Sequence, residues 1–108
     1  MEKFLVLYRA TGAPMTEIPS ATPEERDAEM KKWTDWGASI GDALVEWGAP
    51  LGESETIHGA AGPGRVEGYS IVQARTLEAA RGLFDGHPHL AFPGNTIQLS
   101  RVLPMPGA

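Results

Sequence analysis

Residues 68–90 read GYSIVQARTLEAARGLFDGHPHL, and this stretch decides the fold. Residues 68–74 are rich in aromatic and β-branched side chains and carry no charge, which is typical of a strand covered on both faces. Thr76 can cap a helix whose apolar side chains recur at helical spacing, and Gly86 followed by Pro88 stops that helix. The stretch therefore predicts a strand, a short helix and a tight turn.

Length and composition indicate one domain spanning residues 1–108. The chain has 108 residues, 42% of them hydrophobic, which is enough for one modest core. Its net charge of −5, with nine basic residues scattered among 14 acidic ones, disfavours a nucleic-acid partner. The absence of cysteine excludes disulfides and thiolate sites. The N-terminal apolar run at residues 4–8 is too short for a signal peptide, and no run could span a membrane, so we expect a cytoplasmic protein.

The N-terminal half predicts a strand, a long connection and a long helix. Residues 3–9 place apolar side chains on both faces of a strand, which favours a central position in a sheet. Residues 10–21 form a long connection that is either a functional flap or mobile. Thr22 begins a capping box with proline at the next position. Apolar residues at spacings of three and four then predict one helix through Trp47, ended by the glycine and proline that follow.

The C-terminal half predicts two further strands around the 68–90 stretch. Residues 56–58 form one short strand, and the glycine-rich residues 59–64 join it as a hairpin to the strand that starts at Gly68. Residues 96–103 alternate apolar and polar side chains and predict the last strand. The proline-rich tail 104–108 cannot continue that strand, and we expect it to be flexible.

The predicted element order is β-α-β-β-α-β, an α+β fold. With right-handed crossovers, this order leads to a four-stranded antiparallel sheet with both helices on one face, the ferredoxin-like arrangement. The other face of the sheet is then bare, although the first and third strands are apolar on both sides. Such a face exceeds what a monomer usually exposes, so we expect a homodimer formed through it.

Five segments carry a resemblance to a known family. They are KFLVLY at residues 3–8, WTDWG at 33–37, GAPLG at 48–52, GYSIVQA at 68–74 and a second helix that ends near Pro88. Over nearly the whole chain, they resemble the YCII-related family. The resemblance implies a dimeric α+β barrel, in which two ferredoxin-like protomers pack sheet against sheet and leave clefts. For the enzymatic members it also implies chemistry by a histidine with an acidic partner, including the dechlorination of a hydroxylated aromatic.

Enzymatic members of that family carry their histidine on the first helix. This chain has Lys32, Trp33 and Trp36 there, and its histidines lie elsewhere. An Asp-Pro step often follows the second helix in such members, whereas here the step is His87-Pro88.

The candidate catalytic residues lie in the turn after the second helix. His87 and His89 flank a proline that stiffens the turn, and histidine is the side chain best suited to proton transfer near neutral pH. Asp85 is the acid next to them along the chain, so His87 and Asp85 form the candidate catalytic pair, with His89 as the alternative histidine and Asp35 or Glu53 as alternative acids. The alternative is that both histidines are exposed turn residues.

The candidate ligand-binding residues are Tyr8, Arg9, Trp36 and His89. Arg9 ends the first strand and can pair with a carboxylate or phenolate, or else be solvated. Trp36 lies at the edge of the helical stripe and can wall a cleft, whereas Trp33, in mid-stripe, is expected in the core. We expect these residues to converge on a cleft beside Tyr8 that takes a small planar anion.

Metal and cofactor sites have little support in the sequence. A metal site from His58, His87 and His89 would lack a fixed carboxylate, so we predict no metal. Residues 62–64 are not a phosphate loop, because no Lys-Ser/Thr pair follows them, and no serine has the context of a nucleophile elbow. We therefore predict no cofactor.

Three functions remain open. The first is a YCII-type enzyme with lyase- or isomerase-like acid–base chemistry on a small, aromatic compound. The second is a homodimer that binds a small aromatic or carboxylate molecule without turnover. The third is a dimerisation or interaction module without a ligand. A histidine and a carboxylate converging in one cleft favour the first, a roomy apolar cleft without them favours the second, and the lack of a cleft favours the third.

Overall fold

The described part of the chain contains two α-helices and a four-stranded sheet. The structure, a computed structural model, describes residues 1–12 and 22–107. Its elements are β1 (Glu2–Ala10), α1 (Pro23–Ile40), β2 (Leu44–Pro50), β3 (Arg65–Ala74), α2 (Leu77–Gly82) and β4 (Asn95–Arg101), with short 3₁₀ turns at Gly41–Ala43 and Pro88–Ala91. Most of the predicted connection 10–21, from position 13 onward, lies outside the described residues.

The four strands form an antiparallel sheet in the order β2-β3-β1-β4. At its centre, Val6 of β1 pairs with Ser70 of β3 on one side and with Leu99 of β4 on the other. The predicted α+β class, antiparallel sheet and two helices are therefore confirmed, and the strand order is compatible with a ferredoxin-like fold. No helix among the described residues is long and apolar enough to cross a membrane.

Both helices begin where the sequence predicts. The Oγ1 of Thr22 accepts the backbone N–H of Glu25 at 3.1 Å, and the Oγ1 of Thr76 accepts that of Ala79 at 3.0 Å. Each bond satisfies a donor that the first turn of a helix leaves without a backbone partner.

The first helix ends earlier than predicted, at Ile40 rather than at Trp47. Gly41 follows with a φ of 55°, a left-handed conformation that glycine adopts without steric penalty. The next segment is β2, whose register with β3 shifts twice. As a result, Leu44 and Trp47 both pack toward α1 at Gly37. This irregular strand repeats apolar residues at a spacing of three, which mimics a helical stripe.

Residues 56–58 do not form the predicted strand. They belong to the connection 51–64, in which every residue is exposed and Ile57 is 98% exposed. The strand that precedes β3 and pairs with it is β2 instead. A single apolar side chain among polar neighbours gives too little burial to offset the entropy lost when a strand is ordered.

The core lies between the helices and one face of the sheet. Its buried sheet residues are Phe4, Val6, Tyr8, Val72 and Ala74, and its buried residues from the helical layer are Trp36, Ala80 and Phe84. Burial of each large apolar side chain contributes about 1.5–3 kcal/mol. Gly37 lets α1 approach β2 closely, since a Cβ at this position would overlap the ring of Trp47.

The opposite face of the sheet also carries apolar side chains. Leu5 and Leu7 of β1 and Tyr69 and Ile71 of β3 alternate with the buried residues of the same strands and stay partly exposed. The paired strands bring these four side chains together, because Leu5 faces Ile71 and Leu7 faces Tyr69. They form the surface through which the sequence predicts a homodimer.

Candidate ligand-binding groove

The segment after α2 is shaped by glycine and proline. Gly86 has a φ of 72°, which reverses the chain direction at little cost for glycine. His87 follows in an extended conformation, as expected for a residue that precedes a proline. Pro88 then opens the 3₁₀ turn, and the Nδ1 of His87 accepts the backbone N–H of His89 at 3.0 Å. The local sequence therefore fixes both the backbone and the ring orientation of His87.

The ring of His87 is only 2% exposed and is enclosed by an aromatic cluster consisting of Tyr8, Trp33, Trp36 and Phe84. Trp36 and Trp33 contact it edge-on, with ring centroids 4.4 and 4.5 Å away. Tyr8 stacks against it at 5.3 Å with an interplanar angle of 24°. This cluster joins residues from β1, α1 and the segment after α2 around one imidazole.

Burial keeps the imidazole of His87 neutral at physiological pH. Loss of hydration, with a smaller contribution in the same direction from the nearby His89, lowers the pKa of His87 to about 4. Because Nδ1 accepts a hydrogen bond from a backbone N–H, the single ring proton of the neutral form lies on Nε2. This Nε2 is buried and has no hydrogen-bond partner among residues 1–12 and 22–107. His87 therefore holds a donor that the described chain leaves unsatisfied.

His89 is also buried, at 6% exposure, but its polar atoms are satisfied. Its Nε2 lies 2.9 Å from the carbonyl oxygen of Arg9, which can only accept, so this nitrogen carries the proton. The side-chain Nδ2 of Asn95 donates to the backbone oxygen of His89 at 3.0 Å. His89 thus ties the turn to the end of β1 and has a structural role in the described chain.

Tyr8 lies in the core and is 3% exposed. Ser70 donates its hydroxyl proton to the backbone oxygen of Trp47 at 2.7 Å, so the phenol of Tyr8 donates to the oxygen of Ser70 at 2.9 Å. Burial raises the pKa of Tyr8, although the Ser70 hydrogen bond acts in the opposite direction. The phenol keeps its proton and is committed to this buried network.

An open groove of about 630 Å³ lies between α1 and the segment that contains His87. On the α1 side it is lined by Lys32, Asp35, Trp36 and Ser39, and on the other side by residues 85–88, Leu90 and Ala91. Its volume falls within the range typical of small-molecule sites.

The groove brings together three of the predicted site residues, His87, Asp85 and Trp36. The histidine and a carboxylate therefore line one groove, the feature proposed above to distinguish the three functions. Asp85 is exposed, and no hydrogen bond joins its carboxylate to His87 in the described part of the chain.

The other three predicted residues lie outside the lining of this groove. Tyr8 and His89 do not line it, although both contact His87. The Nη2 of Arg9 donates to the carbonyl oxygen of Pro63 at 3.3 Å, at the base of the 51–64 connection. The expected convergence with Arg9 on a cleft beside Tyr8 is therefore not what the geometry shows.

Trp36 lines the groove and Trp33 packs against the core, as predicted, but Trp36 is the more buried of the two. Trp36, expected at the edge of the stripe, is 7% exposed, whereas Trp33 is only partly buried. The Nε1 of Trp36 donates to the backbone oxygen of Leu83 at 2.8 Å, so its indole N–H is engaged and the ring alone can face a ligand.

Sequence reasoning did not assign Lys32 or Ser39 to the groove and named Asp35 only as an alternative acid. These residues recur every three to four positions with Trp36, which places them on one face of α1. This periodicity in the sequence could have identified Lys32, Asp35 and Ser39 as neighbours of Trp36. Among the described residues, no group of three or more His, Asp or Glu side chains is placed to hold a metal ion.

No protein-family model matches the chain, and a search of curated proteins finds no significant match. The resemblance to the YCII-related family therefore stays a prediction, and function has to be argued from the groove.

Proposed function

We propose that the protein is a homodimer of the YCII-related type that binds a small organic molecule, with an apolar and in part aromatic body, in the groove between α1 and residues 85–91. The observation that carries this proposal is the Nε2 of His87, a buried donor without a partner beside a groove of about 630 Å³. A buried polar group left unsatisfied costs about 1–3 kcal/mol, and proteins accept such costs mainly at functional sites.

Binding fits the groove better than acid–base catalysis. A general base needs a ring nitrogen that can take up a proton, but the Nδ1 of His87 already accepts a backbone N–H and Nε2 already carries the proton. The pKa of about 4 removes the positive charge that a general acid would need near neutral pH. A neutral imidazole is instead suited to donate one hydrogen bond to a bound oxygen. Catalysis by His87 with Asp85 would require the turn to rearrange.

The homodimer in this proposal uses the open face of the sheet. Leu5, Leu7, Tyr69 and Ile71 are clustered there and partly exposed. A second copy, related by a two-fold axis, would bury the same cluster of each chain and give the dimeric α+β barrel. Sedimentation at micromolar concentration should show twice the chain mass, and Leu7→Asp should give a folded monomer. A wild-type monomer at that concentration would contradict the dimer without bearing on the groove.

A non-catalytic dimerisation or interaction module is the second candidate. The T-shaped contacts of Trp33 and Trp36 with His87 favour it, because in such a contact a ring N–H that meets an aromatic face is partly satisfied without any ligand. In this case His87 would be a structural residue and the groove would bind nothing.

Matched asparagine variants separate the two candidates. His87→Asn keeps an oxygen that can cap the 3₁₀ turn but removes Nε2, while His58→Asn makes the same change on the exposed connection. A library of small aromatic compounds is screened by thermal shift against the wild type and both variants, since a ligand of the folded state raises its Tm. We expect hits with the wild type and His58→Asn that disappear with His87→Asn. Hits that persist with His87→Asn would contradict the role of His87 in binding, and no hits at all would support the interaction module.

A further inference from the structure

The groove carries more negative than positive charge. Among its lining residues, the Nζ of Lys32 forms an ion pair with Glu29 at 2.8 Å, and the carboxylate of Asp35 forms one with Lys31 at 2.8 Å. Asp85 is exposed and has no ion-pair partner among the described residues. These five side chains leave one uncompensated negative charge, and it lies at Asp85.

No other lining residue offsets this charge. His87 is neutral at physiological pH, because burial holds its pKa near 4. Arg9, the expected partner of an anionic ligand, does not line the groove and donates to the oxygen of Pro63. An anion in the groove would meet only Lys32, whose charge Glu29 already balances, and would approach the carboxylate of Asp85.

The remaining lining supplies two further recognition elements. The ring of Trp36, together with Pro88 and Leu90, gives an apolar wall, and an aromatic face also attracts a cation. The second element is independent of the acidic side chains: the N–H at Nε2 of His87, a groove residue, is buried and without an acceptor in the described part of the chain. Such a donor fits a neutral oxygen on a ligand.

We propose that the groove selects a small organic cation, an amine with an apolar body and a neutral oxygen, whose ammonium group pairs with Asp85 while its body packs against Trp36 and Leu90. This inference rests on the proposed function and names the charge class of its ligand. It replaces the planar anion expected from the sequence, because that expectation depended on Arg9.

Three probes of similar size and different charge test the inference. They are 2-phenylethylamine, 2-phenylethanol and 3-phenylpropanoate, each titrated into the ¹⁵N-labelled full chain at low salt. The signals to follow are the amide of Gly86 and the indole N–H of Trp36, since both residues line the groove. We expect the amine to bind roughly two- to five-fold more tightly than the alcohol, as for a partly exposed ion pair, and the carboxylate to bind most weakly. Added salt should reduce the preference of the groove for the amine.

Two variants assign this preference to one carboxylate. Asp85→Asn should make the amine and the alcohol bind equally, whereas Asp42→Asn, at an exposed acid outside the groove lining, should leave the order of affinities unchanged. Equal or tighter binding of the carboxylate or the alcohol than of the amine in the wild type would overturn the inference but leave the groove as a binding site. If no probe shifts the two groove signals, the inference is overturned, and the library screen with His87→Asn alone decides the proposed function.

Discussion

The histidines of this chain lie in two segments that contain glycine and proline, and these segments differ in burial. Residues 83–91, LFDGHPHLA, are packed into the protein, with His87 and His89 buried. Residues 51–64, LGESETIHGAAGPG, are exposed throughout, including His58. Since the turn-forming residues are alike, turn composition does not decide burial.

The difference comes from what precedes and faces each segment. Residues 83–91 start with Leu83 and Phe84, which pack in the core and hold the turn against α1. The 51–64 connection has only Leu51 and Ile57 as large apolar side chains, and both are exposed. A segment rich in glycine and proline thus packs as a wall of the groove when large apolar side chains hold it in the core. A segment without such side chains stays at the surface.

The largest expected effect comes from removing such an anchor. Phe84→Ala should lower the free energy of unfolding by about 3–5 kcal/mol, because it leaves a cavity beside Trp36 and His87. Ile57→Ala should change it by less than about 0.5 kcal/mol. Urea denaturation measures the free energy of unfolding of both variants. Similar losses in the two would contradict the proposed difference between the segments.

The next effect concerns pH and the burial of His87. The folded state binds a proton at His87 with a pKa of about 4, whereas the unfolded chain binds one with the usual value of 6.5. Between these values the unfolded state holds more protons, so stability falls as the pH falls through this window and changes no further below it. The loss that His87 contributes is about 3 kcal/mol.

Urea denaturation at several pH values from 7 to below 4 checks this dependence. His87→Asn should lose the part of the pH dependence that lies between 6.5 and 4, and His58→Asn should keep it. An unchanged pH profile in His87→Asn would mean that the buried imidazole does not control acid stability.

The smallest expected change in stability comes from replacing one glycine in each segment. Gly86 and Gly59 both have positive φ, and no atom lies within 4 Å of a Cβ added to either one. Gly86→Ala should cost about 1 kcal/mol, since the packed turn cannot relax the strained backbone. Gly59→Ala should cost less, because the exposed connection can adjust without disturbing the core. Equal losses in denaturation experiments would show that the two segments are similarly constrained.

Local patterns in the sequence were sufficient for much of the fold. The sequence predicted where both helices begin, at the caps Thr22 and Thr76, and it predicted that β1 is apolar on both faces. Each of these features depends on neighbours within a few residues. The end of α1 could not be predicted, since the irregular strand β2 places Leu44 and Trp47 at a spacing that a helix also produces.

The site was harder to predict than the fold. His87 and Asp85 were identified as candidates from residue type and turn position, and both line the groove. The burial of His87 depends on Tyr8 and Trp33, which lie far away in the sequence, and the contact of Arg9 with the 51–64 connection is equally non-local. Tertiary contacts of this kind leave no local signal.

The most direct test of the account is to map where small molecules bind. In a ¹H–¹⁵N spectrum of the full chain, compounds from an aromatic fragment library should shift the amides of Gly86 and Leu90 and the indole N–H of Trp36, and leave the amides of residues 51–64 in place. In His87→Asn these shifts should vanish while the remaining spectrum stays folded. Fragments that shift residues 51–64 instead, or that shift the groove equally in His87→Asn, would contradict the assignment of the groove as the binding site.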